Sequence, residues 1–74
     1  MTTKLSGETS EGSWTCESTG SGYQVTLRSG PVCMHFDGAD REDLLAEAGR
    51  CGDERVRGSM VRLAKTMTAA VGVE

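Results

Sequence analysis

Aromatic side chains are almost missing from this chain of 74 residues, which has one Trp, one Tyr and one Phe. A core built without them draws on Val, Leu, Met and Ala. At this length it leaves only about 3–5 kcal/mol between folded and unfolded states. No apolar run is long enough to span a bilayer, and no basic-then-apolar amino terminus is present. Neither a membrane span nor a secretory signal is therefore expected, and the expected location is cytoplasmic. Three cysteines suit that compartment, because an odd count does not make a secreted disulfide framework. Positive charge is in deficit: the net charge of −3 disfavours nucleic acid as a partner, since counterion release needs surplus Lys and Arg facing the phosphates.

Glycine is what the chain has in abundance, with ten residues, and each costs backbone entropy on folding. Residues 1–13 are rich in Thr, Ser, Gly and Glu, and their composition predicts a flexible amino-terminal arm. Residues 14–74 are expected to form a single small α+β domain. Within it, Trp14 to Glu17 reads as a short strand, and Ser18-Thr19-Gly20-Ser21-Gly22 as a turn. Tyr23 to Arg28 alternates apolar and polar, and after Ser29-Gly30-Pro31 the segment Val32 to Phe36 does the same. A four-residue connection Ser29–Val32 would set Leu27 opposite Met34 and Val25 opposite Phe36, sharing one apolar face.

Two helices follow. Asp40 is a candidate N-cap for Arg41 to Ala48, with Glu42 and Asp43 favoured by the dipole and Gly49 as the stop. Asp53 can cap a longer, amphipathic helix running to about Val71, with Gly72 ending it. Gly58 inside it costs about 1 kcal/mol relative to alanine, which predicts a close neighbour there. The fold class is thus a two- or three-stranded antiparallel β-meander followed by two α-helices.

Four constellations could carry function. Along the second helix, Val56, Met60, Leu63, Met67 and Ala70 recur at spacings of four and three, a seam that either packs on the chain's own sheet or meets a partner. Methionine adapts to protein surfaces, and so small a core gains from a second copy; both favour the partner. The same helix carries Arg55, Arg57, Arg62 and Lys65, which with the preceding helix sketch a helix-turn-helix and a nucleic-acid alternative.

Cys16, Cys33, His35 and Cys51 are a ligand set that zinc accepts, although none of the paired zinc-site spacings is present. Cys33 and His35 also sketch a thiol nucleophile and base, with no residue evident to orient the base beyond Asp37. The carboxylates Asp37, Asp40, Glu42 and Asp43 lack a calcium-loop pattern, and helix capping accounts for Asp40 and Asp43.

The expectation is a small non-enzymatic protein–protein interaction module of regulatory, inhibitory or adaptor type. It binds a protein partner or a second copy of itself through the carboxy-terminal helix, and no cofactor is expected. The alternatives are a nucleic-acid-binding regulator and a module stabilised by structural zinc.

Overall fold

A computed structural model describes residues 3–74. It contains four strands and two helices in the order β1 (Thr3–Thr9), β2 (Gly12–Thr19), β3 (Gly22–Ser29), β4 (Val32–Gly38), α1 (Arg41–Ala48) and α2 (Glu54–Val71). The strands make one antiparallel sheet in sequence order, β1-β2-β3-β4, and the fold is α+β. It has more strands than the two or three expected.

The extra strand comes from the segment read as an arm. Residues 3–13 are not an arm: they form β1, the first turn and the start of β2, while Met1 and Thr2 lie outside the described residues. An edge strand with polar side chains carries no apolar alternation, so composition alone resembles disorder. What holds β1 is backbone pairing to β2, from Thr3 opposite Ser18 to Thr9 opposite Gly12.

The three hairpins have two-residue loops at ten-residue intervals. Thr9-Ser10-Glu11-Gly12 and Thr19-Gly20-Ser21-Gly22 are built alike: each Thr hydroxyl accepts a bond from the backbone N–H two residues on, at 3.0 Å from Glu11 and 3.3 Å from Ser21. Gly12 and Gly22 close these turns at φ +146° and +151°. The third loop, Gly30-Pro31, has Gly30 at φ +59°, as a hairpin turn beginning with glycine requires. It sets Leu27 opposite Met34 and Val25 opposite Phe36, the register expected from the shared apolar face.

Strand alternation then gives the sheet one apolar and one polar face. Trp14, Cys16, Val25 and Leu27 are buried on the inner face. Leu44 and Ala48 of α1, and Met60, Leu63, Ala64 and Met67 of α2, complete the same core. Both helices begin as expected. Asp40 accepts a bond from the Asp43 N–H at 2.9 Å while Asp43 accepts one from Ala39 at 3.2 Å, and Asp53 caps α2 through the Arg55 N–H at 3.0 Å.

Gly72, at φ +82°, ends α2 and turns the chain so that Val73 is buried and the Glu74 carbonyl accepts from the Arg41 N–H at 2.9 Å. Gly58 differs from expectation: it is exposed, and no backbone crowds it. Only the guanidinium of Arg62 would meet an added Cβ, at 3.3 Å.

A Cβ at Gly12 would collide with the Arg28 carbonyl oxygen, whereas at Gly20 it would meet nothing within 4 Å. Gly12→Ala is therefore expected to cost more than about 1 kcal/mol and Gly20→Ala to be nearly neutral, as read from denaturant midpoints. Equal effects would show that the turn geometry is not what requires glycine at position 12.

Candidate functional site

Along the seam of α2, Met60, Leu63 and Met67 are fully buried, packed with Leu27, Val25 and Leu44 in the chain's own core. Val56 at one end is half-buried and Ala70 at the other is exposed. For Met60, Leu63 and Met67 this corrects the expectation of a partner-binding surface. The spacing located the buried face of the helix correctly, but the sheet it faces is its own. Periodicity alone cannot distinguish an internal partner from an external one.

The basic residues of α2 are likewise engaged within the chain. The Arg62 guanidinium donates to Glu11 at 2.8 and 3.2 Å, and Arg55 donates to Asp53 at 3.2 and 3.1 Å. Arg57 Nε donates to the Cys51 carbonyl at 2.7 Å. Lys65 is exposed. Three of the four candidates for phosphate contact thus have partners within the chain, although the Arg55 and Arg62 side chains remain largely exposed.

Glu11 was the residue that sequence reasoning missed. It sits in the β1–β2 turn and gathers Arg62 and, at 2.7 Å, the Ser59 hydroxyl, while its carbonyl accepts from Ser29 Oγ at 2.8 Å. Hydrogen bonds from Arg62 and then Ser59 hold its carboxyl below the ordinary value of 4.5. The signal for it was the Thr-x-x-Gly turn repeated at 9–12 and 19–22, which places residue 11 at a hairpin tip.

The proposed zinc ligands are not brought together. Cys16 is buried on the inner face and Cys51 in the α1–α2 connection, whereas Cys33 is exposed and alternates with the inward residues of β4 on the opposite face, as does His35. Among the described residues, no three His, Cys, Asp or Glu side chains form a metal-binding group. All three cysteines are free thiols, and burial pushes that of Cys16 up. His35 Nδ1 lies 2.9 Å from the Thr26 hydroxyl, its cross-strand neighbour, so its hydrogen bond is not with Cys33. A surface cleft lies between Thr19, Tyr23, Gln24 and Asp37 at one end of the sheet.

What remains without a covering layer is the far face of the sheet, and both outer strands, β1 and β4, lack a strand neighbour on one side. Lys4, Ser6, Glu8, Gln24, Arg28, Cys33, His35 and Asp37 are exposed there. β1 has β2 on one side and no strand on the other. On its inner side Gly7 lies beneath the Trp14 indole, so close that a Cβ would stand 2.6 Å from the ring. Leu5, two residues away on the same side, is 44% exposed, the one large apolar residue so exposed among the described residues. No protein-family model, curated protein or solved structure matches the chain.

Two outcomes are expected. Met60→Ala should cost about 2–5 kcal/mol by opening a cavity in the core, enough to unfold much of so small a domain. Urea titration reads this, and an unchanged midpoint would return the seam to the surface. Because the Glu11 carboxyl titrates below 4.5 when folded, its stabilisation is fully present above that pH and is lost as the pH falls through the folded value. Glu11→Gln should therefore lower stability at neutral pH and flatten its decline below 4.5; parallel pH profiles for the two proteins would refute this.

Proposed function

We propose that this chain is a small non-enzymatic protein-binding module, of regulatory, inhibitory or adaptor type, that takes its partner as an added strand on the open edge of β1. The observation that carries this is the exposure of Leu5, at 44%, on a strand with no neighbour on its outer side. An edge strand presents a row of backbone donors and acceptors, which supply affinity, while an adjacent apolar side chain supplies selectivity. The seam of α2 is unavailable for this role because the core uses it.

Support for a binding role over catalysis comes from the polar face. Cys33 and His35 are two residues apart on one strand, about 7 Å along the chain, and the histidine is engaged with Thr26. With Arg55, Arg57 and Arg62 held by intramolecular partners, a strand of protein suits the surface better than nucleic acid does. No helix among the described residues is long and apolar enough to cross a membrane. Free thiols fit a cytoplasmic setting.

A photo-cross-linking residue at Lys4, compared with one at Lys65 on α2, tests the location in cells. Adducts to protein are expected from position 4, reduced by Leu5→Asp, and few from position 65. Equal yields at both positions, or no effect of Leu5→Asp, would remove β1 as the binding surface.

A further inference from the structure

The edge strand carries a pattern that identifies an occupant. The two-residue turn makes Thr9 and Gly12 a hydrogen-bonded pair, and the antiparallel ladder alternates from there. The backbone N–H and C=O groups of Lys4, Ser6 and Glu8 therefore point away from β2, toward open solvent. Their side chains lie on the polar face, while Leu5 and Gly7 lie on the helix side.

The strand Thr3-Lys4-Leu5-Ser6-Gly7-Glu8-Thr9 is complementary to itself about Ser6. Antiparallel pairing with its own copy sets Thr3 opposite Thr9, Lys4 opposite Glu8, and Ser6 opposite its counterpart. All three outward residues then exchange both backbone bonds, and the only two charges of the strand meet their opposites twice. Leu5 falls opposite Gly7, where no side chain obstructs it and the Trp14 indole lies over the backbone. A two-fold axis through Ser6 covers the exposed leucine of each copy with the edge of the other's tryptophan.

We propose that two copies of this chain pair through β1 about Ser6, forming a continuous sheet of four strands from each copy with both helix layers on the same side. The proposal rests on β1 being the binding edge and names what occupies it. The other edge does not offer this match: antiparallel pairing of β4 about His35 sets Cys33 against Asp37 and one imidazole against the other. Lys4 and Glu8, which guard a solitary edge against non-specific pairing, cancel only in this register.

Sedimentation equilibrium of the whole chain tests the pairing. Wild-type protein is expected to show a monomer–dimer equilibrium. Lys4→Glu and Glu8→Lys should each weaken it about tenfold by placing like charges opposite each other. Mixed in equal amounts, the two variants should associate again, because one presents only acidic and the other only basic residues across the axis. Both positions are exposed, so circular dichroism should show both variants folded. In the wild type, amide exchange at Ser6 should slow as concentration rises.

A wild type that stays monomeric to millimolar concentration overturns the pairing, as does a dimer indifferent to both charge reversals. So does a mixture no stronger than its components, or Ser6 exchange independent of concentration. If the wild type is monomeric yet position 4 still cross-links to another protein, only the self-pairing falls. If it is monomeric and position 4 yields no adduct, strand docking on β1 falls with it.

Discussion

A sheet of four strands has two faces to dress, and this chain has apolar side chains for one. That single constraint arranges the molecule. Trp14, Cys16, Val25 and Leu27 turn inward, and the two helices spend their apolar stripes covering them. The inward side of α2 is consumed in the process, and its arginines are drawn to the flanks. Every surface still free for recognition is therefore on the sheet's far face, at its edges or on the outward sides of the helices.

With so little core, connections and ties matter in proportion. The two-residue hairpin loops minimise the loop-closure entropy that the meander must overcome. Glu11 then fastens the first turn to α2 through Arg62 and Ser59 and to β3 through Ser29. An exposed ion pair by itself contributes little. Here the same side chain serves two donors on a helix 48 residues or more away in sequence, so it fixes where α2 crosses the sheet. At the other end, Val73 and the Glu74 carbonyl fasten the tail to the start of α1.

The sequence conveyed those parts of the fold whose physics is local. Tyr23 to Arg28 alternates because one face is buried, and Asp40, Asp53 and Gly72 mark helix ends through bonds that span a few residues. The register between β3 and β4 followed from the requirement that Leu27 and Met34 share a face. The destination of the α2 seam was not legible, since a stripe of Met60, Leu63 and Met67 is the same whether it meets its own sheet or another molecule. Strand parity separates Cys16 from Cys33 and His35: with Trp14 turned inward, Cys16 shares its face, whereas Cys33 and His35 alternate with the inward Met34.

The missed strand β1 shows where hydrophobic patterning stops being informative. Patterning records burial, and an edge strand on a half-covered sheet buries almost nothing, so its residues look like those of a flexible segment. Its structural information lies in the backbone, which every sequence shares, and in the turn that starts it. The second source was available: Thr9-Ser10-Glu11-Gly12 repeats the turn at Thr19 ten residues later, and a turn closing on Gly12 needs a strand before it as well as after. Once β1 is a strand, the order of its polar residues acquires meaning. A flexible arm has no reason to hold Lys4 and Glu8 equidistant from Ser6, with Leu5 mirrored by a glycine, whereas a strand edge that meets its own copy does.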